Sequence, residues 1–251
     1  MPNESKKAGI LSNNALKILA SVFMVIDHVG VILFPNIIWL RIVGRLSFPI
    51  FAYLIAEGAR HTRSKWRHFL TMLGFALIIQ IVYFIYKPSR EMNVLVTFTL
   101  SLVVIYALEN FKSALFSGQE TTSKKLLTAL LFLGSVAAVS LLDHVLDLDY
   151  GAAGCMLPVF PALFTTPKTT DGKVPPIFEM LDTKPIRILA TTIGTLALAL
   201  SDGGIQYYGL CAIPLLFLYS EQRGKLRMKY FFYIFYPVHL LLIYAISLII
   251  K

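Results

Sequence analysis

Apolar residues run along the chain in nine blocks, near residues 15–34, 37–58, 68–87, 93–110, 125–143, 151–166, 186–201, 205–220 and 230–250. Continuous apolar runs close to the roughly 20 residues a helix needs to traverse hydrocarbon predict transmembrane helices. The sixth to eighth blocks are shorter than that, so they are expected as broken, re-entrant or fused segments. The pattern predicts an all-α, polytopic helical bundle of about nine transmembrane segments, with residues 1–251 forming a single transmembrane domain. Residues 1–9 are polar, and the first block is long enough to span the bilayer, so a cleavable signal peptide is not expected. The longest interruption, residues 165–185, holds Pro167, Gly172, Pro175 and Pro176 and is expected as an irregular cytoplasmic loop. Its apolar patch, residues 177–181, suits the membrane surface.

Polar residues interrupt this pattern at a few positions, and these carry the functional reading. Asp27 and His28 lie side by side in the first block. Ionisable groups in hydrocarbon are costly and mark functional sites by default. Adjacent residues on a helix point about 100° apart, so the two do not form a simple dyad. Lys17 precedes His28 by eleven residues, close to three turns, which places both on one face about 16 Å apart along the axis. A cation at the water's edge with an imidazole deeper on the same stripe suits a long anionic ligand whose reactive end reaches inward. Snorkelling of Lys17 at a helix end is the structural alternative. Asp27 is expected to face the second block, where Arg41 and Arg45 lie four residues apart on one face. Pairing would relieve the burial of both charges and leave one arginine for a substrate or an oxyanion. The opening pair thus divides into two half-sites, His28 with Lys17 and Asp27 with Arg41 and Arg45.

Further along, Pro49 is expected to loosen the helix beside this patch. Glu57, at the other end of that helix, is compatible with a merely interfacial position. In the last block His239 follows Tyr233, Tyr236 and Pro237, and it reads equally well as a second catalytic group or as a packed, hydrogen-bonded one. Gln80, Asn93, Thr97, Thr99 and Gln206 read as helix–helix glue. Cys155 and Cys211 lie in apolar blocks and are expected as inert core thiols. No Cys/His spacing suggests a metal site.

Composition agrees with the pattern. The chain is 57% hydrophobic and 15% charged, against roughly 25% charged residues in soluble domains. Its net charge of +9 raises nucleic acid as a partner, and the placement of the charge argues against it. Eighteen of the 23 basic residues fall at alternate ends of the blocks. These are Lys6, Lys7 and Lys17; Arg60, Arg63, Lys65 and Arg67; Lys112, Lys124 and Lys125; Lys168, Lys173, Lys184 and Arg187; and Arg223, Lys225, Arg227 and Lys229. The opposite ends hold Lys87, Arg90 and Lys251, with Asp143, Asp147, Asp149 and Asp202. The positive-inside rule then predicts a cytoplasmic N-terminus and an outer C-terminus. No basic loop carries a nucleic-acid motif.

Several segments together resemble the TraX family, named for a conjugation protein that acetylates the N-terminus of pilin. They are Met24-Val25-Ile26-Asp27-His28-Val29-Gly30, the run from Leu40 through Arg41, Arg45 and Pro49 to Ala52, His61-Thr62-Arg63, residues 93–100, Asp149-Tyr150-Gly151, and Phe235-Tyr236-Pro237-Val238-His239. TraX-like proteins are in turn similar to the acyltransferase-3 proteins and to the lysosomal heparan-α-glucosaminide acetyltransferase. The acyltransferase-3 proteins carry a basic residue and a histidine separated by ten intervening positions in the first helix, and Lys17 with His28 fits, with Lys where Arg is usual. The resemblance implies a bacterial inner-membrane enzyme that moves an acetyl group from cytoplasmic acetyl-CoA to an amine or hydroxyl outside, on a pilin N-terminus or a surface glycan. In that reading His28 is the general base or acetyl carrier and Arg41 or Arg45 steadies the oxyanion. Asp27 holds the arginines, and His239 is an accessory acid or base. Lys17 with Arg60, Arg63 and Lys65 binds the phosphates of acetyl-CoA, a co-substrate, and no metal is implied. The competing class is a secondary transporter or proton-coupled carrier, since buried Asp, His and Arg also build proton relays. A non-catalytic scaffold has no evident use for two buried charged clusters.

Overall fold

The computed structural model of the chain describes residues 9–86, 90–169, 171–224, 228 and 231–250. The described chain is almost entirely helical. In order come α1 (Asn13–Ile32), α2 (Ile38–Gly44), α3 (Ser47–His61), α4 (Lys65–Tyr86), β1 (Glu91–Met92), α5 (Val94–Phe116), α6 (Thr122–Val145) and β2 (Asp147–Leu148). Then follow α7 (Gly151–Met156), α8 (Val159–Leu163), α9 (Pro176–Leu181), α10 (Lys184–Asp202), a 3-10 segment Gly204–Ala212, α11 (Ile213–Phe217) and α12 (Phe231–Ile250).

Among the described residues, five stretches are long and apolar enough to cross a bilayer: Asn13–Ile32, Ile38–His61, Lys65–Phe84, Val94–Phe116 and Thr122–Val145. They coincide with the first five apolar blocks, and the chain is a multi-pass membrane protein. Three further apolar helices, Gly151–Leu163, Gly204–Phe217 and Ile234–Ile250, are shorter. The sixth block is interrupted at Leu157-Pro158, between α7 and α8. The eighth begins as a 3-10 helix, whose poorer hydrogen-bond geometry rarely persists so long. These two are broken as their shortness predicts, whereas the seventh block, expected to be broken as well, forms the continuous helix α10.

The chain divides into two compact units, one made of Met1–Leu54 and Ala199–Lys251, the other of Ile55–Leu198. In the first, α1 packs on α2 and α12, and α2 also packs on the 3-10 segment. Ser12 caps α1, accepting from the Ala15 N–H at 3.2 Å. Just ahead of that cap Leu11 forms a parallel bridge with Tyr219, and the Asn13 N–H donates to the Gln222 carbonyl at 2.8 Å. The start of α1 is thereby fastened to the segment after α11. Where α1 meets α2, glycines allow the close approach. A Cβ on Gly30 would lie 2.8 Å from Leu40 Cβ, and one on Gly44 would lie 2.3 Å from Asp27 Cβ and Oδ1.

The second unit is organised around α5, which packs on α4, α6, α7 and α8. Leu102, Val104 and Ile105 are fully buried there, as expected of a helix apolar on every side. Asn93 caps α5, accepting from the Leu95 N–H at 3.0 Å, and its amide donates to the Ala76 carbonyl and Gln80 Oε1, each at 2.9 Å. Glu91–Met92 and Asp147–Leu148 pair in parallel. The turn into α7 passes through two left-handed residues, Tyr150 (φ 63°) and Gly151 (φ 58°), and Asp143 accepts the Ala152 N–H at 2.8 Å. By contrast α6 is exposed along almost its whole length, with Leu126, Leu130 and Leu141 more than half exposed. A face of that kind belongs in lipid.

Two expectations need correction. Lys112 does not lie in a loop after the fourth block; α5 runs on to Phe116 and buries it. Its ammonium donates to the carbonyls of Ala162 (3.1 Å), Leu163 (2.9 Å) and Thr165, the last bond being very short, and it sits 4.8 Å from the Phe178 ring centre. The ammonium thus caps the end of α8, where the Ala162 carbonyl also accepts from Thr165. Cys155 is buried as expected, but Cys211 is exposed. Pro49 loosens the helix as expected: the break between α2 and α3 falls at Arg45–Leu46, where the Arg45 carbonyl lies four residues before Pro49 and cannot receive its missing N–H. The patch at residues 177–181 lies largely in α9, with Phe178 buried and Ile177 and Met180 exposed.

Candidate functional site

The charged centre of the first unit forms where Gly44 lets α2 press against Asp27. Arg45, at the end of α2, donates from Nη2 to both carboxylate oxygens of Asp27, at 2.8 and 2.7 Å. Its Nη1 donates to Gln206 Oε1 at 3.3 Å. Arg41, one turn earlier, places Nε 3.6 Å from Asp27 Oδ1 and stays 27% exposed. Asp27 therefore faces both arginines, with Arg45 bound tightly and Arg41 loosely. A short, two-pronged carboxylate–guanidinium contact is a strong and directional interaction. Gln206 acts as the expected helix–helix glue, joining the 3-10 segment to the end of α2 through Arg45. Arg45 and Gln206 are both buried.

On the neighbouring face of α1, His28 meets α12. His28 Nδ1 lies 2.9 Å from His239 Nε2, and the ring centres are 5.0 Å apart. His239 Nδ1 lies 2.9 Å from the Phe235 carbonyl oxygen. A carbonyl only accepts, so Nδ1 of His239 carries the proton. In the neutral ring its Nε2 is then a bare acceptor. The contact between the rings is a hydrogen bond only if His28 Nδ1 donates. That leaves His28 Nε2 as the unprotonated nitrogen of the neutral pair. The surrounding rings hold this arrangement: Phe235 stacks on His239 at 5.1 Å and 15°, and Tyr236 meets both imidazoles edge-on. Pro237 in α12 removes one helical N–H just below His239. Tyr233 lies in α12, but its side chain is outside the described residues. Lys17 also faces α12, its ammonium 5.4 Å from the Phe232 ring centre. The Lys17–His28 stripe thus runs along the α1–α12 contact.

The basic loop after α3 lies in the second unit and is largely engaged. Arg60 Nη2 is 3.3 Å from Asp182 Oδ1, and Nη1 is 3.8 Å from Glu57 Oε2. Lys65 pairs with Glu109 at 2.8 Å and donates to Asn110 Oδ1 at 3.2 Å. Arg63 is exposed. Glu57 is not interfacial: it is 3% exposed, and Arg187 Nε, itself 2% exposed, reaches Glu57 Oε1 at 3.0 Å. The carboxylate of Asp182 also accepts from Arg187 Nη1 in a very short contact, and from the N–H and Oγ1 of Thr166 at 2.9 and 2.8 Å. Burial alone would raise the Asp182 pKa. The Thr166 donors and the two arginines outweigh it and hold the carboxyl below its ordinary value.

This second cluster escaped the sequence reading because its members lie in three segments, and Arg187 reads there as one more loop cation. The one local signal is Glu57 with Arg60, three residues apart on a helix. Lys6, Lys7, Lys87, Lys225, Arg227, Lys229 and Lys251, which contribute to the charge asymmetry, lie outside the described residues.

The family described as "TraX protein" matches residues 12–247. A protein of Dichelobacter nodosus described as "probable fimbrial assembly protein FimC, serogroup H1" is 27% identical, over 91% of this chain and 92% of its own length. "Protein TraX" of Escherichia coli is 30% identical over 46% of this chain and 45% of its own. No solved structure matches.

Proposed function

Since this chain belongs to the TraX family, we propose that it is a membrane acetyltransferase of pilus or fimbria assembly, moving an acetyl group from acetyl-CoA to an amine or hydroxyl of an acceptor across the bacterial inner membrane. The observation that carries this reading is the 2.9 Å contact of His28 Nδ1 with His239 Nε2, set beside a doubly held Asp27–Arg centre. His28 Nε2 takes the proton of the acceptor as its nitrogen or oxygen attacks the thioester carbonyl. The new C–N or C–O bond forms, the C–S bond breaks, and the imidazolium returns the proton to the departing thiolate. Arg41, the looser arginine, is free to turn toward the oxyanion of the tetrahedral intermediate, while Asp27 and Gln206 keep Arg45 fixed. His239 orients His28 through Nδ1. Cations for the donor's phosphates are present in each unit, Lys17 in the first and Arg60, Arg63 and Lys65 in the second.

The names of the two relatives supply the setting: one is a fimbrial assembly protein, the other carries the family's name. In the inner membrane, the basic asymmetry sets the N-terminus in the cytoplasm and the C-terminus outside, with about nine spans once the interrupted helices are counted. The test is purified protein with labelled acetyl-CoA and an acceptor peptide bearing a free N-terminus, or a glycan. His28→Ala should cut transfer by about 10²–10⁴-fold, the range for a lost general base, in a protein that stays folded. Transfer at the wild-type rate in that variant would sink the assignment. The interrupted elements α7–α8 and Gly204–Phe217 favour a carrier as the second reading. A carrier predicts substrate-driven proton flux in liposomes and no thermal stabilisation by CoA.

A further inference from the structure

The carboxylate of Asp182 is held far more heavily than neutralising one charge requires. Donors from three segments converge on it: Arg60 from α3, the N–H and hydroxyl of Thr166 from the loop after α8, and Arg187 from α10. Arg187 does not need Asp182 as its counter-ion, because Glu57 already sits on its Nε. Guanidinium forks with a backbone N–H and a hydroxyl are the donor set that recognises phosphate oxygens.

The local charge points the same way. Lys168 donates to the Arg60 carbonyl at 3.3 Å, so it lies beside the cluster. Arg60, Arg187 and Lys168 face two carboxylates, Glu57 and Asp182, with His61 3.5 Å from Glu57 adding charge when protonated. Without Asp182 the cations around this cluster would outnumber its carboxylates, a surplus that a phosphate dianion would meet. The head of Arg60 is 28% exposed, which gives a ligand an approach. Asp182 is also well placed to leave. It follows α9 directly, and α9 has one buried residue, Phe178.

We propose that Thr166, Arg60 and Arg187 form a binding site for the phosphate oxygens of a ligand, and that Asp182 is its built-in occupant, displaced when the ligand binds. The ligand's identity as the acyl donor's diphosphate rests on the acetyl-CoA reading; the site's existence does not. Displacement frees the 165–185 loop, so binding and loop opening are coupled.

The test uses the full-length protein in detergent with inorganic pyrophosphate as probe, and reads binding by calorimetry and loop release by tryptic cleavage at Lys168 and Lys173, both exposed. Pyrophosphate should speed cleavage of the wild type. Asp182→Asn should bind it more tightly, within the roughly 5–150-fold span of typical couplings. A second arm compares nanodiscs of phosphatidylglycerol with nanodiscs of phosphatidylcholine, without pyrophosphate. Faster cleavage there assigns the site to a lipid headgroup; faster cleavage with pyrophosphate alone assigns it to a soluble ligand. If cleavage responds to neither and Asp182→Asn binds no better than wild type, Asp182 is a structural latch and the proposal falls. Because acetyl transfer is not measured, failure of the enzymatic reading leaves this outcome readable.

Discussion

The molecule holds two buried carboxylate–guanidinium contacts of similar length, Asp27–Arg45 at 2.7 Å and Glu57–Arg187 at 3.0 Å, and they serve different ends. The first is left open: Arg41 is held loosely, and the neutral His28–His239 pair on the adjoining face of α1 presents a bare nitrogen. The second is closed, since its charges are met by Asp182, Thr166, Arg60 and His61 from its own chain. A buried ion pair alone is therefore a poor guide to chemistry. What marks the first site is a titratable group with an unassigned nitrogen beside a cation that is not fully spent.

The sharpest way to break this comparison is to replace each pair with apolar residues of similar size. Such swaps are often neutral or stabilising, whereas removal of one partner costs about 3–5 kcal/mol. Asp27→Leu with Arg45→Met should stay folded and lose turnover, because Arg41 loses the carboxylate that positions it; the loss should not exceed the about 10²–10³-fold of a deleted oxyanion donor. Glu57→Leu with Arg187→Met should stay folded and keep kcat, with any loss confined to KM. Unfolding midpoints and single-turnover rates of the two double variants check both halves. Equal losses of kcat would remove the distinction.

A smaller effect tests how the open site is built. Gly44→Ala places a methyl group 2.3 Å from Asp27. Forcing atoms into a packed contact costs about 1–3 kcal/mol, and here the strain falls on the Asp27–Arg45 pair. The expected result is a lower unfolding midpoint together with reduced kcat. Gly134, with nothing within 4 Å of a Cβ, is the control and should tolerate alanine.

Much of the first centre is legible in the residues alone, because helical periodicity converts spacing into direction. Eleven residues from Lys17 to His28 imply one face, and both do face α12. Arg41 and Arg45, four apart, imply a shared target, and Asp27 is that target. The partner of His28 was not legible, because a contact spanning 211 residues leaves no local pattern. Nor was the depth of Glu57, since the end of an apolar run does not reveal that α10 supplies Arg187 to cover it. Lys112 shows the same limit: a basic residue after an apolar block reads as a loop, until the carbonyls at the end of α8 give its ammonium somewhere to go.

The histidine pair offers the next sharpening. His239→Gln keeps an acceptor for the His28 Nδ1–H, whereas His239→Phe keeps the stack on Phe235 and removes the acceptor. A buried donor left without a partner costs about 1–3 kcal/mol, so the phenylalanine variant should lose at least about tenfold in kcat while the glutamine variant loses less, with KM unchanged in both. Equal losses would mean that His239 transfers protons itself, and the pH–rate profile of the glutamine variant would then lose one limb.

The smallest expected effect belongs to the closed cluster and is read through acid. The folded Asp182 carboxyl is more acidic than an unfolded one, because the Thr166 and arginine donors overcome its burial. Its contribution to stability is therefore complete above the ordinary carboxylate pKa of about 4 and fades as pH falls through the lower folded value. Asp182→Asn, which titrates in neither state, should unfold earlier than wild type by a constant margin at neutral pH. That margin should narrow only below about pH 4. Unfolding midpoints of both proteins from pH 7 down to pH 3 measure it. A margin that narrows between pH 5 and 7 instead would show that Asp182 is not the group whose titration sets it.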